Sequence, residues 1–345
     1  MRLRILVLTA IAAAMLVTNH LRAGLFNRSP RLPIDAVRPL PGGLGLLPSP
    51  PQDPENPTTP AKIELGRQLF EDTRLSGDQS IACMSCHPRE MAYTETTPFS
   101  EGFQGQPMPR NTPTLLNTAY YRYINWDGKF TSTTQLVPAI LANPKNMNMQ
   151  DDAVLLARLE AVPAYRAQFR DVFGGPATKL RVAQALDSYV RSLTTPNSQF
   201  DHYVAGDKNA LTDAQKRGLA LFVGKADCTM CHRGPNFEDD QFHALGVRGE
   251  DPGRFKITGI EADRNAFKTP TIRNVELTGP YMHDGSLNTL RDVIDFYDRG
   301  GGDQQPKSNL LRKLHLTEKE KADLVAFLES LTGSVDKPVP LTAAK

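Results

Sequence analysis

The residues with the clearest chemical meaning are the cysteines, of which this chain of 345 residues has four. They form two Cys-x-x-Cys pairs, and a histidine follows each pair directly: Cys83, Cys86 and His87, then Cys228, Cys231 and His232. This pattern is the attachment signature of a c-type haem, in which two thiols bond to the haem vinyl groups and the histidine becomes an axial iron ligand. Zinc sites use the same residue types, but a histidine directly after the second cysteine in both motifs is not typical of them. The sequence therefore predicts two covalently bound haem c groups.

Similar segments precede the two motifs and indicate two related units. Residues 66–70 and residues 218–222 share the pattern Gly-x-x-Leu-Phe. Helix signals are frequent, whereas alternating strand patterns are few. The predicted helices include those that begin after the capping-box residues Thr212 and Thr317 and those over residues 151–169 and 178–193. We therefore predict a mainly α fold with two c-type cytochrome domains, each holding one haem, and long loops.

Length and composition fit this organisation. A chain of 345 residues suggests about two domains, and 40% hydrophobic with 23% charged residues permits a packed core. The formal net charge of +2 does not indicate the strongly basic surface that nucleic-acid-binding proteins have, so we expect no nucleic-acid partner. We predict four segments: a signal peptide or N-terminal anchor over residues 1–23, a Pro-rich arm over 24–60, an N-terminal cytochrome c domain over 61–205 and a C-terminal one over 206–345.

The N-terminus is typical of an exported protein. Arg2 and Arg4 precede an apolar run over residues 5–17, which is short for a membrane span and typical of a signal-peptide core. Residues 21–23 match a cleavage site poorly, so an uncleaved membrane anchor is the alternative. We predict a periplasmic location in both cases. Residues 30–60 contain ten prolines and cannot form helix, which leaves a wrapping arm or a disordered segment.

Several further segments carry a resemblance to a known family. They are residues 65–70, 72–76, 109–114, 126–128, 200–201, 268–274 and 278–285, together with both haem motifs. With these segments, the chain resembles the bacterial diheme cytochrome c peroxidases, which include the MauG-type enzymes of methylamine utilisation, from about residue 62 to 332. The resemblance implies two cytochrome domains whose haems face a shared interface, and an oxidoreductase that acts on hydrogen peroxide.

The resemblance also implies that the first haem is open. In the peroxidases that need reductive activation, a distal histidine lies just before the Arg-Asn-x-Pro-Thr stretch. Here that segment, residues 99–108, has no histidine, and none occurs between His87 and His202. The first haem would then be five-coordinate or water-ligated and would meet peroxide without prior reduction. Met108 is the alternative, as a remote ligand.

For the second haem, the family places the distal ligand in the helix that follows the His-Asp-Gly motif. Electron-accepting peroxidases have methionine there and MauG-type enzymes have tyrosine; the matching residue here is Tyr297. Leu290, Val293, Ile294 and Tyr297 lie on one helical face, for which an ordinary core tyrosine is the simpler interpretation. The resemblance instead implies an iron ligand. A phenolate stabilises oxidised iron, whereas methionine raises the reduction potential, so a His/Tyr haem suits the storage of oxidising equivalents.

Two more roles follow from the resemblance alone. Trp126 is the only tryptophan, and a lone tryptophan usually fills a core. The family match instead places it between the haems as a relay for electrons. The resemblance also implies a calcium ion bound by oxygen donors of Asn111, Thr278 and Pro280, because hard oxygen ligands suit calcium.

One departure from the family concerns proton transfer. Peroxide cleavage needs a group that takes a proton from one oxygen and delivers it to the other. In the family, the segment that matches residues 143–147 has a glutamate at the position of Asn146. An amide cannot shuttle protons at neutral pH. A family glutamine is retained as Gln135, and either Glu95 or Glu101, in the loop expected to cover the open haem, is a substitute carboxylate.

These features favour one function and leave two alternatives. The first interpretation is a periplasmic diheme peroxidase that draws electrons from a small redox protein, either a cytochrome c or a copper protein. A MauG-like enzyme that uses peroxide to oxidise residues of a partner protein is the first alternative, which Tyr297 and Asn146 favour. A non-enzymatic electron-transfer cytochrome is the second, and an open first haem argues against it. A membrane contact is expected only if the leader is uncleaved.

Overall fold

The computed structural model describes residues 40–335. The predicted signal peptide and residues 24–39 of the predicted arm lie outside this range. No helix within residues 40–335 is both long enough and apolar enough to span a membrane.

The N-terminal half of the described chain is helical. Its helices are α1 (Pro60–Glu71), α2 (Cys83–Cys86), α3 (Thr133–Ala142), α4 (Asp152–Glu160), α5 (Pro163–Phe173) and α6 (Lys179–Ser192). The prediction of a single helix over residues 151–169 is wrong, because a new helix begins at Pro163. Proline has no backbone N–H to bond to the preceding turn, but it fits the first position of a helix.

The C-terminal half adds five helices and one small sheet. The helices are α7 (Gln199–Val204), α8 (Asp213–Val223), α9 (Phe255–Thr258), α10 (Leu290–Asp298) and α11 (Glu318–Glu329). Two three-residue strands, β1 (Phe242–Ala244) and β2 (Ala266–Lys268), pair antiparallel with Phe242 opposite Lys268. Both predicted capping boxes are confirmed, since Thr212 and Thr317 accept hydrogen bonds from the backbone three residues later.

Each half has its own hydrophobic core, and the repeated Gly-x-x-Leu-Phe pattern lies in both. Gly66 of α1 packs against the Ala185 carbonyl of α6, and Gly218 of α8 packs against the Asp323 carbonyl of α11. At either glycine an added Cβ would lie 2.0 Å from the carbonyl oxygen. The glycine of the pattern therefore lies at a close helix crossing, at which only glycine fits. The phenylalanine of the pattern, Phe70 or Phe222, is buried in the hydrophobic core of its half.

Replacing Gly218 by alanine should destabilise the C-terminal core. The new methyl group would force α8 away from α11, and over-packing costs about 1–3 kcal/mol, occasionally more. We expect a fall in melting temperature of about 5 °C, at about 2–4 °C per kcal/mol for a protein of this size. Gly249→Ala is the matched control, because an added Cβ there meets nothing within 4 Å. Equal melting temperatures for the two variants would contradict the close-crossing interpretation.

Residues 40–59 run along both cores. Leu44 is fully buried in the C-terminal core, and the Gly45 carbonyl accepts a hydrogen bond of 2.9 Å from Arg273. Further along, the Pro48 carbonyl accepts from the Tyr120 hydroxyl at 2.7 Å, and Asn56 donates to Asp187 of α6 at 2.9 Å. This part of the predicted arm therefore contacts both halves of the protein.

Candidate functional site

The histidines of the two motifs have the same hydrogen-bond arrangement. His87 Nδ1 lies 2.9 Å from the Tyr93 carbonyl, and His232 Nδ1 lies 3.0 Å from the Phe237 carbonyl. A carbonyl can only accept, so Nδ1 carries the proton and Nε2 is left as the ligand atom. Burial lowers the pKa of His87 to about 4 and also lowers the pKa of His232, so both rings are neutral at pH 7. This arrangement fits iron ligation in both motifs.

The four cysteines are free thiols that lie on short helical turns. The first pair spans α2. In the second pair, Cys228 begins the 3-10 turn Cys228–Met230 and Cys231 follows it directly. Burial raises the pKa of Cys83 to about 12, so this thiol is neutral. Within residues 40–335, the only cluster of three side chains with metal-ligand chemistry is Cys231, Asp239 and His243. The two motifs thus do not combine into a four-ligand zinc site, and the residues fit one haem each.

A cavity of about 250 Å³ adjoins the second motif. Cys228, Cys231, His232 and Tyr297 all line it. Within the described part of the chain, the Tyr297 hydroxyl forms no hydrogen bond. Burial raises its pKa, and the two neighbouring thiols add to the rise. A hydroxyl without a protein partner, in a cavity lined by the haem-attachment residues, fits an iron ligand.

Helix α10 positions Tyr297 through its caps and its apolar face. Thr289 begins the helix with a capping box to Asp292, which the sequence analysis did not identify. The predicted face is confirmed, since Tyr297 and the three apolar residues that precede it on that face all line the cavity. The chain then leaves the helix at Gly300 and Gly301, whose positive φ angles of 88° and 82° suit glycine.

Trp126 belongs to the N-terminal half but lines the cavity of the second motif. Its indole Nε1 donates to the Asn111 carbonyl at 2.9 Å, and its own carbonyl accepts from the Lys268 backbone N–H at 2.8 Å. The tryptophan is thus held from both halves. Its role as an electron relay stays a prediction.

Arg110 joins the two halves beside Trp126. Its guanidinium donates to Asp127 at 2.7 Å and to Asp251 of the C-terminal half at 2.6 Å. From the other side, Arg254 donates to the Asp127 and Gly128 carbonyls at 2.8 Å. Arg110 and Asp127 lie in segments that carry the family resemblance, but Asp251 lies outside every matched segment, so this bridge was not predicted from the sequence.

Lys268 is a second residue whose importance the sequence analysis missed. Its ammonium group lies 3.4 Å from the centroid of the Tyr121 ring and 3.8 Å from a Glu238 oxygen. Burial lowers the pKa of Lys268 and raises the pKa of Glu238. Only the position of Lys268 in a matched segment could have drawn attention to this buried pair, and Lys268 itself lines the cavity of the second motif.

The three predicted calcium ligands line the same cavity. Asn111 Nδ2 donates to the Thr97 and Pro98 carbonyls at 3.2 and 3.3 Å, and its Oδ1 has no partner among residues 40–335. Thr278 and Pro280 also line the cavity wall. An unpaired amide oxygen at a cavity wall is compatible with a hard cation, and calcium binding stays a prediction.

The surroundings of the first motif include the segment that departs from the family. Cys86 Sγ lies 3.8 Å from the Glu101 carbonyl oxygen. Two residues on, the Phe103 backbone N–H lies 2.9 Å from the Lys145 carbonyl and 3.0 Å from the Asn146 carbonyl. The loop that follows the first motif therefore contacts both Cys86 and the segment of Asn146. That it covers the first haem stays a prediction.

Gln135 and Met108 have local contacts. Gln135 is exposed on the first turn of α3, and its oxygen accepts from the Thr131 hydroxyl at 3.1 Å. Within residues 40–335 no hydrogen bond joins Gln135 to either haem motif. Met108 lies near Gly102, and its backbone N–H donates to the Ser100 carbonyl at 2.9 Å. Neither arrangement tests the family role predicted for Gln135 or the alternative that Met108 is a ligand of the first haem.

The fold and the two motifs define a two-haem c-type cytochrome, and comparisons with known proteins give its family. Residues 60–209 match the profile of the family described as di-haem cytochrome c peroxidase, and residues 215–332 match that of cytochrome c. The chain is 38% identical over 326 residues to the cytochrome-c peroxidase IdrP1 of a Pseudomonas species, a match that covers 84% of this chain and 86% of that protein.

Two further relatives agree with this assignment. The chain is 40% identical over 286 residues to the methylamine utilization protein MauG of Methylorubrum extorquens, with 81% of each protein covered. A MauG-like protein associated with microbial copper homeostasis has a similar structure, with a TM-score of 0.78, 33% identity and coverage of 83% of this chain and 93% of that one. This chain belongs to the bacterial di-haem cytochrome c peroxidase family, so it is a peroxidase-type oxidoreductase with two haem c groups. The predicted family and the mainly α cytochrome fold are confirmed.

Proposed function

We propose that hydrogen peroxide is reduced at the first haem, bound through Cys83, Cys86 and His87, and that the second haem shares the oxidising equivalents. When bound, the haems supply the electrons for this reduction. The observation that carries the proposal is the Tyr297 hydroxyl, which has no partner among residues 40–335 and lines one cavity with His232. A tyrosine ligand favours oxidised iron and suits storage rather than collection of electrons.

The protein side chains hold and connect this unit. The carbonyls of Tyr93 and Phe237 fix the tautomers of the two ligand histidines, so that each Nε2 is available to iron. Trp126, held by hydrogen bonds from both halves, is the proposed path for electrons between the haems. Arg110 stabilises this contact through its two carboxylate partners.

Oxidation of a partner protein is a second candidate function. Tyr297 favours it, because a methionine ligand would suit the uptake of electrons from a reduced donor better. One relative at 40% identity is named for methylamine utilisation, and the same tyrosine-based storage would serve a protein substrate here. A small cytochrome c or copper protein remains the proposed partner under the first candidate. The two differ in whether a reduced cytochrome accelerates peroxide consumption.

The proposed function also includes a cellular location and a calcium-binding site. We infer export to the periplasm from the apolar run near the N-terminus and from covalent haem attachment, which bacteria carry out outside the cytoplasm. Asn111, Thr278 and Pro280 are the proposed calcium ligands, supported by their common position at the cavity wall. A calcium ion there would lie close to the backbone that holds the Trp126 indole.

Electron paramagnetic resonance of the resting ferric protein tests this proposal. We expect one high-spin signal from the open first haem and one low-spin signal from the second. Peroxide should change the optical spectrum of the ferric protein directly, without prior reduction. The titration, repeated with a reduced cytochrome c, separates the two candidate functions. Two low-spin signals with no response to peroxide would rule out an open site at the first haem.

A further inference from the structure

Two side chains that lose an electron readily line the cavity of the second motif. They are Tyr121 and Trp126, which share this cavity with the predicted iron ligand His232. An oxidised haem bound there is able to take an electron from either of them. Only Trp126 is the proposed path between the haems, so an electron taken from Tyr121 would be a side reaction. The surroundings of the two residues decide which of them is oxidised.

Lys268 contacts both aromatic residues, each through a different part of the lysine. Its backbone N–H donates to the Trp126 carbonyl at 2.8 Å. Its ammonium nitrogen lies 3.4 Å from the centroid of the Tyr121 ring, and Lys268 itself lines the cavity. The positive charge of the lysine therefore lies against the tyrosine, whereas the tryptophan is bonded by a neutral backbone group.

The ammonium group of Lys268 is buried and held in place. The side chain is 6% exposed, and its Nζ atom donates to the Thr269 carbonyl at 2.7 Å. A Glu238 oxygen lies 3.8 Å away on the pairing side. Burial lowers the pKa of Lys268 to about 8, so the group is still mostly positive at pH 7. Dissolved salt screens a buried charge of this kind only weakly.

A buried cation against a ring face makes the ring harder to oxidise. The negative face of the Tyr121 ring attracts the ammonium group, and the attraction is strongest where water is excluded. Loss of an electron makes the ring electron-poor, so the attraction is lost when the tyrosine is oxidised. A desolvated contact of this kind corresponds to a factor of about thirty or more in an equilibrium constant. The oxidation of Tyr121 is disfavoured by about this factor.

Trp126 has different surroundings. Its indole Nε1 donates to the Asn111 carbonyl at 2.9 Å. The indole N–H becomes a stronger donor when the ring loses an electron, so this carbonyl stabilises the oxidised form. The Tyr121 hydroxyl instead accepts a hydrogen bond, from the Thr271 backbone N–H at 2.8 Å, which gives no comparable support. Charge and hydrogen bonding thus both favour the oxidation of Trp126 over that of Tyr121.

We propose that Lys268 prevents the oxidation of Tyr121 and so keeps the oxidising equivalents on the two haems and Trp126. This inference rests on the proposed function. Lys268 acts through Tyr121 and is therefore a positioning residue. Without the ammonium group, Tyr121 would give one electron to the oxidised haem unit. Its hydroxyl proton would pass to Glu238, whose charge acts on this hydroxyl, and a neutral tyrosyl radical would remain.

Electron paramagnetic resonance of the oxidised protein tests this role. Lys268→Met removes the charge but keeps the length of the side chain and the backbone bond to Trp126. In the protein with both haems attached, frozen after addition of hydrogen peroxide, we expect the yield of tyrosyl radical to rise at least about tenfold over wild type. Lys268→Arg keeps a positive charge and should give the wild-type yield. Lys129→Met is the matched control and should also do so, because Lys129 is exposed and lies 5.2 Å from the Phe130 ring centroid.

Two further variants assign the radical to Tyr121. The new signal should be absent from the double variant Lys268→Met/Tyr121→Phe. A Lys268→Met protein without a tyrosyl radical would overturn the proposal. A radical that persists in the double variant, or an equal rise in Lys268→Arg, would do the same.

Tyr121→Phe alone keeps the test decisive if Lys268→Met does not fold. With the lysine intact, this replacement should leave the wild-type radical signals unchanged and the lifetime of the oxidised state within about twofold. A tyrosyl signal in the wild-type protein that disappears in Tyr121→Phe would show that the tyrosine is oxidised beside the lysine, and the proposal would fall.

A photochemical oxidant separates this inference from the proposed function. A photoexcited ruthenium complex with a sacrificial electron acceptor oxidises the haem unit without peroxide. Suppose that the protein ignores peroxide, but that photo-oxidation gives a Tyr121 radical in Lys268→Met and none in wild type. The peroxidase proposal would then be refuted and the role of Lys268 retained. A normal response to peroxide, with the wild-type radical yield in Lys268→Met, would refute the role of Lys268 alone.

Discussion

Replacing Tyr297 by phenylalanine should remove the low-spin electron paramagnetic resonance signal of the second haem and leave the high-spin signal of the first unchanged. The phenyl ring fills the same space but has no oxygen donor, so the iron would lose its sixth ligand. The reduction potential of the second haem should rise, because an anionic oxygen donor no longer stabilises the oxidised state. Helix α10 should remain folded, since its capping box and buried face do not involve the hydroxyl.

Tyr281→Phe is the matched control for this experiment. Tyr281 lines the same cavity, but its hydroxyl donates to the Val275 carbonyl at 3.0 Å and is therefore already satisfied. Its removal should leave both haem signals in place. If Tyr297→Phe retained the low-spin signal, Tyr297 would be an ordinary cavity-lining residue, and storage of oxidising equivalents at a His/Tyr haem would lose its structural basis.

Arg273→Ala should cost about 3–5 kcal/mol of stability, the largest loss that we expect from any single replacement of a charged residue in this protein. The Arg273 guanidinium is fully buried and donates to Asp201 at 3.0 and 3.1 Å. It also donates to the Pro235 carbonyl at 2.7 Å and the Gly45 carbonyl at 2.9 Å. Alanine would leave the Asp201 charge and two carbonyls buried without this partner. We expect the melting temperature to fall by about 10 °C or more.

Arg248→Ala provides the comparison for the buried pair. Arg248 and Asp303 also form a two-point ion pair, but their side chains are 82% and 67% exposed. Water screens such a pair, so its loss should change stability by about 1 kcal/mol or less. Similar melting temperatures for Arg273→Ala and Arg248→Ala would show that burial of the Arg273 pair contributes little.

Local patterns in the sequence were enough to predict much of this protein. The haem ligands follow from residue spacing, the helix starts follow from caps such as Thr212, and the face of α10 that includes Tyr297 follows from periodicity. Each of these features depends on residues that are a few positions apart. The family resemblance drew attention to Trp126 and Asn111, which spacing could not, and the structure adds that both line one cavity.

Contacts between distant segments were not predictable in the same way. The ion pair between Arg110 and Asp251 depends on how the two halves of the protein pack together. A short sequence pattern does not show which distant residues come into contact. Which of the two loop residues Glu95 and Glu101 has a buried carboxylate oxygen is likewise decided by the tertiary packing of that loop. Likewise, the repeated glycines Gly66 and Gly218 indicated a relationship between the halves, whereas their role in helix crossing needed the helix partners.

The path of residues 40–59 has a consequence for the order of folding. Gly45 bonds to Arg273, a residue 228 positions later, and Leu44 is buried in a core that includes residues of the last helix, α11. Contacts of such long sequence separation close large loops and form slowly. Leu44 cannot reach its final position until the C-terminal core exists. Residues 40–59 are synthesised early, but they are thus among the last to form their native contacts. They can dock completely only after both halves of the protein have folded.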